Sequence, residues 1–196
     1  YEIHERLVGS EMCIRDRCAL TLFQQHGYDN VTVVQICEAA GITKRTFYYH
    51  FDSKEQLVNG ITDYLGVKAE KLLESLAVQQ TNVGTLWALM SVYSINSANY
   101  GPGIIRQIYV NMVQGKTDGK FPYSMYLYNT VVNAIANAQR AEEITNQASP
   151  EDVAFVLYHA FRSVTITWAA ENGAFDLQQE FRRAFEVVLG AKNVNY

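Results

Sequence analysis

The sequence predicts an all-α chain: three short helices in a helix-turn-helix arrangement, a long helix leading out of them, and a larger helical domain beyond. Three observations carry this prediction. The 196 residues include only three prolines, which leaves long stretches free of helix breakers. Apolar residues recur at three- and four-residue spacing through most of the chain. Residues that cap helix starts stand in front of several of those periodic runs. A hydrophobic share of 48% is ample for a buried core, and 18% charged residues is low for a soluble chain.

Taken in order, "CALTLFQQHGYDN" reads as the end of a first helix, with Ala19, Leu20 and Phe23 inward and Gly27 just past its end. In "VTVVQICEAAG", Thr32 caps a second helix and Gln35 reaches back to it as in a capping box, while Val33, Ile36, Cys37 and Ala40 form the apolar face. Gly41 supplies the turn, and Thr43 caps a short third helix. Asp52 and Ser53, followed by Glu55 and Gln56, open a long helix through Leu57, Ile61, Tyr64, Leu65 and Leu72. An apolar helix follows over "GTLWALMSVYSINSANYG", ending near Gly101-Pro102-Gly103, then a helix over "IIRQIYVNMV" and the polar turn "QGKTDGKFP". The next helix carries Tyr126, Val131 and Ile135. Ser149-Pro150-Glu151-Asp152 combines a capping serine, a proline in the first turn and two acids favoured by the helix dipole. The helix it opens places Val153, Leu157, Ala160, Phe161, Val164 and Trp168 on one stripe, and a last helix repeats the pattern with Leu177, Phe181, Phe185 and Val188.

The segment Tyr1 to Arg17 stands apart. "LVGSEMCIRDR" has the form of a translated transposon-end sequencing adapter, its codons GAG ATG TGT ATA AGA GAC AG giving Glu11 to Asp16 and the start of Arg17. Stepping back from Phe23 and Leu20 along one helix face reaches Asp16, where an apolar residue should sit. The expected organisation is therefore 1–17 as a foreign segment, 18–60 as the helix-turn-helix domain and 61–196 as the larger helical domain. No apolar run is read as long enough to cross a bilayer, and no leader is recognised. Cys13, Cys18 and Cys37 are odd in number and lack metal-ligand spacing, which points to a reduced cytoplasmic chain.

The chemistry concentrates in "GITKRTFYYHFDSK", Gly41 to Lys54. Lys44 and Arg45 stand in a first turn, where the helix dipole opposes cations. An anion in front of that helix reverses the sign, because backbone N–H groups and both cations then point at a phosphate or a base edge. Thr43 and Thr46 suit phosphate or a thymine methyl, and Lys and Arg suit guanine acceptors. Phe47 and Phe51 have the spacing of core residues, which leaves Tyr48, Tyr49 and His50 nearer the outer face. Lys54 repeats the pattern of a cation in a first turn. With a net charge of −4, any binding of nucleic acid must come from this local patch.

Thr32 to Leu57, "TVVQICEAAGITKRTFYYHFDSKEQL", resembles the DNA-binding signature of the TetR family of bacterial transcriptional regulators, with Gly41, Thr46, Tyr48, Phe51 and Lys54 its most specific part. "ALTLFQQHGYDNVT" resembles the end of that family's first helix and its link to the second. The resemblance implies a recognition helix over Thr43 to His50, with base or phosphate contacts from Thr32, Thr43, Lys44, Arg45, Thr46, Tyr48, Tyr49, His50 and Lys54. It also implies a homodimer on an inverted-repeat operator in double-stranded DNA, a repressor's role in the bacterial cytoplasm, and a variable second domain that binds a small-molecule effector and dimerises through its last two helices. The family's usual basic arm and apolar helix start are displaced here by the foreign segment.

In the larger half, Phe161, Val164, Trp168, Phe181, Phe185 and Val188 suit a four-helix interface between two copies, or packing within one chain. Trp87, Met90, Tyr93, Tyr109, Met112, Tyr126 and Tyr158 suit the lining of an effector pocket, and an aromatic-rich core looks the same from sequence. Arg106 and His159 are candidates to orient an acidic ligand. His4, His26, His50 and His159 form no metal-ligand or nucleophile–base pattern, so no catalytic residue, metal or cofactor is expected. A second reading keeps DNA binding but places the protein under a protein partner, or in an architectural role, without effector sensing.

Overall fold

A computed structural model describes residues 18–58, 81–116 and 125–191. Among these residues the chain is helical, with one isolated antiparallel bridge between Ile144 and Ala191 and no named strand. In chain order the helices are α1 (18–26), α2 (Val33–Ala40), α3 (Lys44–His50), α4 (54–58), α5 (Asn82–Tyr100), α6 (Pro102–Val113), α7 (Met125–Arg140), α8 (Pro150–Ala170) and α9 (Leu177–Leu189). The segment 1–17, expected to be foreign, the expected long helix beyond residue 58 and most of the turn "QGKTDGKFP" lie outside the described residues.

The chain divides into two compact units, one holding residues 18–58 together with 103–116, the other holding 81–102 and 125–191. In the first unit, the α2 start follows the sequence pattern: the Thr32 hydroxyl accepts from the Gln35 N–H at 3.3 Å, and the Gln35 side chain accepts from the Thr32 N–H at 2.8 Å. Gly41 ends α2 with φ 64°, the left-handed turn that a glycine makes without steric cost. Around it, the Ile42 N–H closes onto the Cys37 carbonyl at 2.9 Å, the six-to-one bond of a Schellman ending. Phe23, Ile36, Cys37, Phe47, Phe51 and Leu57 are all buried, so the small domain has its own core.

The later helix α6 belongs to this same unit from Gly103 onward. The chain passes Gly103 close to Tyr28, 3.9 Å from an ideal Cβ to the tyrosine Cβ. Farther along α6, the fully buried Asn111 side chain donates to the Glu55 carbonyl at 3.0 Å.

The second unit is a bundle in which α5 packs on α7 and α9, α7 on α8, and α8 on α9. Helix α5 starts with Thr81 as cap, its hydroxyl accepting from the Gly84 N–H at 3.0 Å. Glu143, at the end of the α7 turn, adds a carboxylate to that helix start, accepting from the Asn82 side chain and the Val83 N–H, each at 2.9 Å. Ser149 caps α8 in the expected way, and Asp176 caps α9, its carboxylate accepting from the Gln179 N–H at 3.1 Å. The α9 row that is buried runs Leu177, Phe181, Phe185 and Leu189; Val188 sits beside it, half-buried.

One expectation is corrected here. Helix α8, at 21 residues, is by length and composition apolar enough to cross a membrane, whereas no run was read as having that length. Its charges cluster at the start, Glu151 and Asp152, with Arg162 alone in the middle, so the rest is a long apolar stretch. Instead of facing lipid on every side, it buries Val153, Leu157, Phe161 and Trp168 within the bundle.

Candidate nucleic-acid interface

Helix α3 is built so that one face is locked and the other is free. Phe47, 1% exposed, and Phe51 anchor the inner side, their rings 5.5 Å apart. Thr43 caps the start, accepting from the Thr46 N–H at 3.1 Å, and the two hydroxyls lie 2.9 Å apart. On the outer side Lys44 and Arg45 are exposed, Tyr48 is 53% exposed and Tyr49 is 84% exposed. Two large aromatics open to water on a seven-residue helix are free to pack or stack against a partner surface.

The aromatic rings meet their neighbours along the helix edge-on. Tyr48 meets the buried Phe47 edge-on at 5.4 Å, and Tyr49 meets His50 edge-on at 5.0 Å. His50 in turn lies 6.5 Å from Phe51. The face therefore presents two cations, two phenols and two threonine hydroxyls above the buried Phe47 and Phe51. That mix can pair with phosphates, donate to base acceptors and pack on thymine methyls. Cys37 sits behind the face; burial pushes its thiol up, against the lowering pull of Lys44, so it is a core residue and not a reactive one.

Lys54 is placed differently from the rest. Its ammonium donates to the Tyr28 carbonyl at 2.8 Å and to the Val31 carbonyl at 2.9 Å, and lies 4.1 Å from the centre of the Tyr28 ring. The Tyr28 hydroxyl donates to Glu55 at 3.3 Å. Burial, then the Glu55 charge, pushes the Tyr28 phenol well above its usual value. The Glu55 carboxyl is held below its usual value, chiefly by its own backbone N–H, with Ser53, Tyr28 and Lys54 adding to the effect against desolvation. Sequence reasoning singled out Lys54, read Glu55 only as part of a helix start and passed over Tyr28, since no local spacing announces a bond across 26 residues.

The candidates in the second half separate. Trp87, Met90, Tyr93 and Tyr158 lie in the bundle, whereas Tyr109 and Met112 stand on α6 in the first unit; Tyr126 has a side chain outside those described. Trp87 packs on Phe185 at 5.3 Å, and Tyr158 lies 6.3 Å from Tyr93 and 5.9 Å from Tyr128. Burial, then the neighbouring phenols Tyr93 and Tyr128, pushes Tyr158 far above its usual value, so the phenol keeps its proton. Arg106, in the first unit, and His159, against Phe155 at 4.1 Å, are both exposed.

The stripe named for a dimer interface is mostly interior. Phe161, Trp168, Phe181 and Phe185 are buried within this chain, with the Phe161 and Phe181 rings 4.2 Å apart; Val164 and Val188 are half-buried. The apolar side chains left in the open on the last two helices are Phe155, Val156 and Ile166 of α8 and Val187 of α9. Among the described residues no group of three or more His, Cys, Asp or Glu is arranged to hold a metal ion.

Residues 17–61 match the family model described as bacterial regulatory proteins, tetR family. The chain is 47% identical over 51 residues to the HTH-type negative transcriptional regulator IcaR of the biofilm operon icaADBC from Staphylococcus aureus (strain Newman), covering 24% of this chain and 27% of that protein. It thus spans about a quarter of the length of the curated relatives it matches. The fold extends further than the sequence likeness. The fatty acid degradation regulator FadR of Bacillus halodurans superposes with a TM-score of 0.67 at 14% identity, over 93% of this chain and 96% of that one. The FadR repressor of Thermus thermophilus, solved in complex with lauroyl-CoA, gives 0.61 at 18% identity over 94% and 96%.

Proposed function

We propose that this chain, whose residues 17–61 match the tetR-family model, is a transcriptional repressor that binds an inverted-repeat operator as a homodimer and is released by a small-molecule effector. The single observation that carries the proposal is the outer face of α3, where Lys44, Arg45, Tyr48 and Tyr49 stand in the open on a helix whose inner side is fixed by Phe47. In the major groove, Lys44 and Arg45 at the helix start reach base edges and phosphates. Thr43, Thr46, Tyr48, Tyr49 and His50 contact backbone and bases along the groove wall, and the α2 start at Thr32 offers N–H groups to a phosphate.

One such helix makes few contacts, and the chain is acidic overall, with a net charge of −4. Two copies related by a two-fold axis double the contacts and read half-sites about 34 Å apart. The open Phe155, Val156, Ile166 and Val187 support α8 and α9 as the pairing face, with the buried Phe161–Phe181 layer directly beneath. The effector is taken by the second unit, where Trp87, Met90, Tyr93 and Tyr158 are the candidate contacts. The phenol cluster supplies hydroxyl groups for a hydrogen-bonding ligand within an otherwise largely apolar lining. Binding shifts the population toward dimers whose two α3 helices no longer match successive major grooves.

The test is selection of bound duplexes from a random DNA pool. Enrichment of an inverted repeat, lost in Lys44→Ala, is the expected result. No enrichment at low salt from folded dimer would overturn the proposal.

A further inference from the structure

We infer that Arg45 sets the sequence preference of α3 by pairing with a guanine in each operator half-site. The inference rests on the DNA-binding reading above and adds one base contact to it. Successive residues of an α-helix are rotated by about 100°, so residues two before and two after a buried anchor stand about 160° from it. In α3 the anchor is Phe47, 1% exposed, and those two residues are Arg45 and Tyr49. Exposure agrees with the geometry: Tyr49 is 84% exposed, against 53% for Tyr48, which is turned about 100° from Phe47. With Phe47 toward the protein, Arg45 therefore belongs to the strip that goes deepest into a groove, where the base edges are.

Lys44, the adjacent cation, is turned elsewhere. It stands about 60° from Phe47 around the helix. Burial raises the Cys37 thiol of α2, and the Lys44 charge is near enough to oppose that rise. Among the described residues the exposed Arg45 side chain makes no hydrogen bond or ion pair, whereas Arg182 and Arg183 of α9 pair with Glu186 at 3.0 Å and Glu180 at 3.7 Å. The Thr43 and Thr46 hydroxyls lie 2.9 Å apart and Thr43 accepts from the Thr46 N–H, so part of their capacity is used within the turn. The Arg45 guanidinium keeps its whole planar fork of N–H donors.

The shape of that fork decides the base. Guanine alone sets two acceptors, O6 and N7, side by side on its major-groove edge. Adenine places its N6 donor beside N7, where a second N–H of the fork meets another N–H. Thymine and cytosine each offer a single polar group. A phosphate also accepts from a guanidinium, but phosphates line the groove walls, toward which the flanks of α3 turn, and not the floor.

The test uses the duplex selected by the unmodified chain, with each guanine–cytosine pair of the half-site replaced in turn by adenine–thymine. For the wild-type chain, one such replacement should lower affinity about tenfold or more. In Arg45→Ala that difference should vanish, with discrimination at every other pair kept and helicity unchanged. A uniform loss across all duplexes, the guanine preference intact, would make Arg45 a phosphate contact and overturn the inference. So would a selected half-site without guanine. Failure of the wild-type chain to select any repeat would instead remove the DNA-binding reading, and this contact with it.

Discussion

Replacing Gly41 by alanine isolates the conformational requirement of the turn between α2 and α3. The residue has φ 64° and ψ 31°, and a Cβ built on it meets nothing within 4 Å. No clash or lost contact contributes, so the cost is that of holding an L-residue left-handed, about 1–2 kcal/mol. Alanine also stiffens the unfolded chain, which returns roughly 0.4–1 kcal/mol. The net expected destabilisation is about 1 kcal/mol, a factor of about five in the opening equilibrium of the small unit. Both tryptophans, Trp87 and Trp168, lie in the other unit, so fluorescence does not report on this one. Amide hydrogen exchange over α2 and α3 does, and the expected result is exchange about fivefold faster at Ile36, Cys37 and Phe47. Gly41→Asn, whose side chain tolerates this region better, should fall between the two. Unchanged exchange in Gly41→Ala would refute the left-handed turn, and a loss above about 3 kcal/mol would mean that the site is not open.

Other positions give sharper contrasts. Gly190 has nearly the same φ, 62°, but a Cβ there runs into the Thr145 hydroxyl, so Gly190→Ala should cost about 2–4 kcal/mol, read as a lower unfolding midpoint by Trp168 fluorescence. Glu143→Ala removes a carboxylate that accepts from the α5 start and should cost about 0.5–2 kcal/mol in the same assay. Ile166→Asp with Val187→Asp places charges on the open face of the last two helices. Sedimentation should then find monomers with unchanged helicity; intact dimers would exclude that face from the pairing.

The caps and inward rows were legible because they follow from local rules. Thr32 with Gln35, Thr43, and Ser149-Pro150 are each decided within one helical turn, and Phe47 and Phe51 were placed inside by spacing alone. What the spacing could not supply is the identity of whatever covers an apolar stripe. Phe161, Trp168, Phe181 and Phe185 form the expected row, yet the row is closed within one chain because α8 and α9 pack on each other. The side chains left open, Phe155, Val156 and Ile166, sit on a second stripe of α8 that an amphipathic reading takes for the polar side. Long-range bonds were equally out of reach. Nothing local to Asn111 reveals that it binds the Glu55 carbonyl, or that α6 belongs with the helix-turn-helix unit. Lys54 was recognised as an odd cation, but the carbonyls that explain it lie 23 and 26 residues back.

The most direct measurement is a fluorescence anisotropy titration of a selected inverted-repeat duplex, comparing the wild-type chain with Lys44→Ala and Tyr48→Phe across a range of salt. Both variants should bind more weakly with the fold intact. In Lys44→Ala the dependence of log affinity on log salt should also become shallower by about 0.9 for each copy bound. Wild-type affinity and salt dependence in both variants would mean that the outer face of α3 does not touch DNA, and would contradict the account at its centre.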